Sequence, residues 1–104
     1  MKDGADELAW QLTAAGFKDF VREYKFCPTR RWRLDLADLC RLLAIEVEGG
    51  IWTGGRHVRG SGFTKDIDKY NELAILGWRL LRFTPDQVRV GVALQCIKRA
   101  LRAH

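Results

Sequence analysis

The chain has 104 residues and a formal net charge of +5, and we expect a single domain over residues 1–104 because this length leaves no room for a second core. An apolar fraction of 47% beside 30% charged residues is typical of a soluble globular protein and excludes an intrinsically disordered one. No apolar run approaches the ~20 residues of a membrane span, and the acidic N-terminus lacks an apolar signal core, so we expect a cytoplasmic protein without a membrane partner. Its three cysteines include no CxxC pair, which argues against a disulfide framework and against a zinc site.

The first half of the chain predicts a helix followed by three strands. Helical spacing of apolar residues predicts a helix over residues 4–15, which Gly16 ends. Alternating apolar and polar residues then predict strands over 20–26, 31–38 and 42–48. In the second of these strands, Trp32, Leu34 and Leu36 are expected on one face. We expect the second and third strands to form a hairpin.

The second half begins with a glycine-rich stretch and predicts two further helices around a strand. Residues 49–63 contain six glycines and are expected to form a loop, and loops of that length are usually functional or disordered. A helix over 64–76 leads into a strand over 78–83, which should pair parallel to a neighbour because a crossover helix precedes it. Thr84 is expected to cap a last helix, with Gln87 in the capping-box position. The apolar stripe of this helix starts at Val90 and continues close to the C-terminus. The predicted fold is an α/β sandwich of order αβββαβα with a mixed central β-sheet.

Basic residues form two groups along the chain. Arg30, Arg31 and Arg33 cluster at the start of the second predicted strand, and Arg56 and Arg59 lie in the glycine-rich stretch. With a pI near 9.4, these groups suit a polyanionic partner such as nucleic acid, although many small proteins are basic for solubility alone.

Three acidic residues fall on the polar faces of the predicted hairpin. Glu46 and Glu48 are about 6.6 Å apart on one strand, and at an effective dielectric of about 20 they repel by roughly 2.5 kcal/mol. Water, a cationic side chain or a metal ion must offset that repulsion, or one carboxyl must stay protonated. Asp35 on the neighbouring strand would bring a third carboxylate to the same face, as in sites that bind Mg²⁺ or Mn²⁺. The alternative is a solvated face on which each acid pairs with an arginine.

The pattern D-x(10)-E-x-E on a β-hairpin, after a helix with an acid and before a crossover helix and strand, resembles the PD-(D/E)XK nuclease superfamily. Within it, the chain is most similar to small very-short-patch-repair-type and other phage or bacterial endonuclease-like domains. The resemblance rests on "FCPTRRWRLDLAD", "LAIEVEGGIW", "KDIDKYNELAILGWRLLRFTPDQV" and the helix with Glu7, which together cover nearly the whole chain. It implies a restriction-endonuclease-like fold and hydrolysis of DNA phosphodiester bonds with Mg²⁺, for which Mn²⁺ would substitute. By this resemblance Asp35 and Glu46 match the metal-binding acids, and Glu7 matches an acid of the first helix.

Position 48 departs from the family pattern, because Glu48 stands where the motif usually has a lysine. Two repairs are open: a second metal bound partly by Glu48, or a lysine supplied by the following helix. Lys65 and Lys69 both lie near the start of that helix, and we prefer Lys69 as the catalytic lysine. They would otherwise form an exposed lysine pair.

The glycine-rich stretch carries further candidates. His57 is a candidate proton carrier, and Trp52 could stack on a base; alternatively, His57 is an exposed loop residue and Trp52 closes the core. Tyr70 is interpreted as a core residue. The predicted DNA contacts are Arg31, Arg33, Trp52, Arg56, Arg59 and Lys65.

The sequence therefore predicts a metal-dependent DNA endonuclease acting in DNA repair, recombination or phage DNA processing. The alternative is a catalytically inactive DNA-binding or adaptor module on the same fold. Cutting both strands with so small a domain would favour a homodimer.

Overall fold

The structure is a computed structural model that describes residues 3–49, 52–53, 56–57 and 61–103. The elements in chain order are α1 (Asp3–Ala14), β1 (Phe20–Tyr24), β2 (Leu34–Asp38), β3 (Leu43–Val47), β4 (Trp52–Thr53), β5 (Arg56–His57), α2 (Ser61–Ile75), β6 (Arg79–Phe83), α3 (Pro85–Arg89) and α4 (Val92–Arg102).

Four strands form one mixed sheet in the order β1-β2-β3-β6. β2 is antiparallel to both β1 and β3, whereas β6 lies parallel to β3 after the crossover through α2. The short strands β4 and β5 form a separate antiparallel ribbon. The α/β class, the β2–β3 hairpin and the parallel crossover strand are therefore confirmed.

Helices cover both faces of the sheet, and successive residues of β3 pack in two apolar clusters on opposite faces. Leu43 and Ile45 pack in a first cluster with residues of α1, α3 and α4, and Ala44 packs in a second cluster with Leu73 of α2. Glu46 therefore belongs to the α2 face of the sheet. In the described part of the chain, no helix is long and apolar enough to cross a membrane.

The second half of the chain differs from prediction at two places. The stretch expected to be a loop contains the strands β4 and β5, and α2 already begins within it, at Ser61. The single last helix is instead two helices, because Gly91 adopts a φ of +89°, a left-handed conformation that ends the run of helical residues. Val90, the expected start of the buried stripe, is consequently 67% exposed, and Val88 is buried instead. The capping box of Thr84 and Gln87 is confirmed, with Gln87 N donating to Thr84 Oγ1 at 3.1 Å.

The second strand is shorter than predicted and begins at Leu34 rather than at residue 31. The common face expected for Trp32, Leu34 and Leu36 is wrong, since Leu36 packs in the first cluster whereas Leu34 and Trp32 pack in the second. Opposite this point, Glu23 of β1 has a φ of +52°, a left-handed conformation that is uncommon for residues other than glycine.

Candidate active site

Asp35 and Glu46 lie together where β2 begins and β3 ends, and both are buried, at 3% and 7% exposure. The backbone N–H of Asp35 donates to Glu46 Oε2 at 2.9 Å, and the N–H of Val47 donates to Asp35 Oδ2 at 2.8 Å. The regular pairing of the two strands ends just before, at Leu36 and Ile45. Both carboxylates are thus held against the backbone, and they continue the contact between the strands.

Helix α2 adds a cation to this pair. Lys69 Nζ lies 2.9 Å from Glu46 Oε1, and both side chains are largely excluded from solvent. The hydroxyl of Tyr70 lies 3.4 Å from the same oxygen, which is long for a hydroxyl donor. The crossover helix therefore supplies a lysine to the acids, as predicted for Lys69, and its catalytic role stays a prediction.

Burial and charge oppose each other at Glu46. Burial raises the pKa of Glu46 above its ordinary value of 4.5, while the charge and hydrogen bond of Lys69 and the N–H of Asp35 act in the lowering direction. The pKa of Tyr70 is also raised, first by burial and then by the negative charges of Glu46 and Glu48, so its hydroxyl keeps its proton at neutral pH. The surroundings therefore shift both Glu46 and Tyr70 toward their protonated forms.

Glu48 faces a different cation. Arg82 of β6 donates from Nη2 to Glu48 Oε1 at 2.7 Å and from Nε to the other oxygen. This hydrogen-bonded pairing raises the pKa of Arg82. The Arg82 guanidinium carbon also lies 4.8 Å from the ring centre of Tyr70. The repulsion between Glu46 and Glu48 is therefore offset by two cationic side chains, Lys69 on the first and Arg82 on the second.

Arg82 was missed by sequence reasoning, although the register between β3 and β6 places it directly beside Glu46. The alternation of "WRLLRF" would indicate the face of the strand on which Arg82 lies. Predicting its contact would also require knowing that this strand pairs with β3.

The structure does not gather all four predicted metal ligands. Among the residues it describes, no group of three or more acidic, histidine or cysteine side chains is arranged to hold a metal ion. Glu7 is exposed on α1, and Glu48 is held by Arg82. The roles of Glu7 and Glu48 as ligands stay predictions.

The predicted DNA contacts fall mostly outside the side chains that the structure describes. Arg31 and Arg33 are exposed in the segment that leads into β2. In the ribbon, Trp52 pairs with His57 and Thr53 with Arg56 through their backbones. The side chains of Trp52, Arg56, His57 and Lys65, and the whole of Arg59, lie outside the described part.

The donor set of Asp35 and Glu46 fits Mg²⁺ or Mn²⁺. Both ions prefer oxygen ligands, and Mg²⁺ in phosphate-processing sites is usually held by one or two carboxylates together with water and substrate phosphate. Two adjacent buried carboxylates supply that number, and a divalent cation would offset the burial that raises the pKa of Glu46. The pair does not amount to an all-protein cage.

Comparison with protein-family models, with curated proteins and with solved structures finds no match for this chain.

Proposed function

We propose that this protein is a Mg²⁺-dependent DNA endonuclease of the PD-(D/E)XK type with a restriction-endonuclease-like fold. One observation carries the proposal. The buried carboxylates of Asp35 and Glu46 each accept a hydrogen bond from the backbone of the other strand of the hairpin, and Lys69 is paired to Glu46. The order of one helix, three strands, a crossover helix and a parallel strand gives further support.

Asp35 and Glu46 would hold the ion where β2 begins and β3 ends. The bound ion would supply an activated water molecule and would offset charge that develops on the phosphate. Lys69 favours the ionised form of Glu46, which is the form that binds a cation, and it orients that carboxylate by a short hydrogen bond. Both acids are buried, so bulk water has little access to their carboxylates.

DNA is the proposed substrate because a net charge of +5 and the exposed arginines before β2 favour a polyanion. The homodimer and the cytoplasmic location stay predictions.

The test is cleavage of branched, single-stranded and duplex DNA by wild type and by Asp35→Asn and Glu46→Gln, with Mg²⁺ or Mn²⁺. Both substitutions keep an acceptor oxygen and remove the charge that holds the ion. Cleavage should fall by orders of magnitude, and DNA binding in a chelator should stay unchanged or tighten because repulsion from the phosphates is reduced.

Asp86→Asn is the matched control, since Asp86 is an exposed acid of α3 that pairs with Arg89. It should cut like wild type. A folded Glu46→Gln protein that cuts at the wild-type rate would end the nuclease assignment for this site.

The second candidate is an inactive DNA-binding or adaptor module, and it is favoured by Glu48, which stands where the motif usually has a lysine and pairs with Arg82. Titration with Mn²⁺ separates the two functions. An intact site should raise the melting temperature as the ion concentration exceeds its dissociation constant, whereas a module without a metal site should show no shift.

A further inference from the structure

The segment Thr29–Arg33, which we call the arginine loop, joins β1 to β2 and forms a shallow depression of about 380 Å³ lined by its first four residues. A turn shapes its start, where Arg30 N donates to the carbonyl of Cys27 at 3.3 Å. The side chains of Cys27 and Thr29 are 3.5 Å apart across this turn. The loop therefore has a defined shape at the surface.

Planar side chains stack inside the arginine loop. The Trp32 ring lies 6.1 Å from that of Phe26 with an angle of 16° between the planes, and the Arg30 guanidinium carbon lies 3.9 Å from the centre of the Trp32 ring. Phe26 is buried in the second cluster, so it fixes the indole to the core, whereas Arg30 is exposed. The loop thus presents a positioned guanidinium group at the surface.

The same loop carries three positive charges. Arg30, Arg31 and Arg33 are all exposed, and none of them pairs with a carboxylate of the residues that the structure describes. An anionic partner would therefore meet three cations that are not already neutralised there.

The position of the loop connects it to the candidate active site. Trp32 precedes Asp35 by three residues, so their Cα atoms are at most about 11 Å apart. At the spacing of a duplex strand, that distance spans at most about three nucleotides. Trp32 and Tyr70 also pack against the same apolar cluster.

We propose that the arginine loop binds an unpaired nucleobase of single-stranded DNA, which stacks on the guanidinium plane that Trp32 holds in place. Arg31 and Arg33 bind the flanking phosphates. Bases that are free of a duplex stack on aromatic rings and guanidinium planes, whereas a paired base must first leave its helix. The inference rests on the proposed function, because it names the DNA structure next to the scissile bond: a strand with unpaired bases, as at a flap or branch.

The experiment measures DNA affinity by fluorescence anisotropy in EDTA. The probes are a blunt duplex, two versions of it that carry a short oligothymidine tail at one end or at the other, and matching versions with an abasic tail of equal length. Wild type should bind one of the thymidine-tailed duplexes about tenfold or more tightly than the blunt duplex. The abasic tail should lose most of this gain because it keeps the phosphates and lacks the bases.

Two matched variants separate stacking from charge. Arg30→Lys keeps the charge and loses the plane, so it should remove most of the preference for thymidine tails. Arg31→Lys, the same change in the next residue, should keep that preference because Arg31 has no stacking role. Trp32→Leu should act like Arg30→Lys, with thermal melting to confirm that it folds.

Three results would overturn the proposal: equal binding of tailed and blunt duplexes by wild type, equal binding of abasic and thymidine tails, or equal effects of the two lysine substitutions. The assay contains no divalent metal, so failure of the nuclease assignment, seen as absence of cleavage, is read separately from failure of base binding.

Discussion

Arg82 and Glu48 form a two-pronged ion pair across the β3–β6 edge of the sheet, with Arg82 Nη2 2.7 Å from Glu48 Oε1. Both side chains are partly exposed to solvent. Position 48 is where the PD-(D/E)XK pattern usually has a lysine. In this chain the position instead carries a carboxylate, which pairs with the guanidinium of Arg82.

Glu48→Gln should weaken Mn²⁺ binding much less than Glu46→Gln does, because Glu48 is engaged by Arg82. The loss of a partly exposed ion pair should lower the free energy of unfolding by less than about 1 kcal/mol. Isothermal titration calorimetry with Mn²⁺ and urea unfolding measure the two effects. An equal loss of Mn²⁺ affinity in both variants would identify Glu48 as a metal ligand.

Lys69→Met should destabilise the metal-free protein at neutral pH by roughly 3 kcal/mol, because it leaves the buried carboxylate of Glu46 without its cation. Combining it with Glu46→Gln should recover most of the lost stability, since the side chain at position 46 then carries no charge. Lys18→Met, at an exposed position before β1, is the control and should change stability little. Additive effects in the double variant would show that the two side chains do not interact.

Glu46 should make the stability of the metal-free protein fall as the pH rises above 4.5. Its pKa is raised in the folded state, so between the ordinary and the raised pKa the folded protein holds more protons than the unfolded chain. Glu46→Gln lacks this titration. Its free energy of unfolding minus that of wild type should therefore increase with pH through this window and then level off. Urea unfolding in EDTA between about pH 4 and pH 8 measures the difference, and a constant value would contradict the direction of the shift.

Arg56→Ala combined with Arg59→Ala should weaken DNA binding and flatten its dependence on salt, a prediction that rests on the sequence of the glycine-rich stretch. Each lost phosphate contact should reduce the slope of log affinity against log salt by about 0.9 for duplex DNA. Mn²⁺ affinity should not change. A slope equal to that of wild type would show that these arginines do not contact the DNA backbone.

The hairpin, the parallel crossover and the capping box were predictable because local patterns determine them: alternation within strands, a helix that connects two strands, and the spacing of Thr84 and Gln87. The break at Gly91 was not, since a helix tolerates an isolated glycine at a cost of only about 1 kcal/mol and the pattern does not reveal its φ.

The site divides in the same way. The proximity of Asp35 and Glu46 follows from the hairpin, whereas the partner of Glu48 depends on the register between two strands separated by α2. Tyr70 shows why one interpretation of a side chain can be incomplete, because its ring packs against the second cluster while its hydroxyl approaches Glu46.

Asp35 and Glu46 also join β2 to β3 by accepting backbone hydrogen bonds where the regular pairing has ended. Removing either acceptor would leave a backbone N–H without its partner in a largely buried position, at a cost of about 1–3 kcal/mol whether or not the protein cuts DNA. A descendant of this chain that neither cut nor bound DNA would therefore still be selected to keep both acids for the sake of folding. Its exposed arginines before β2 would be free to change, and substitutions would appear first at these positions.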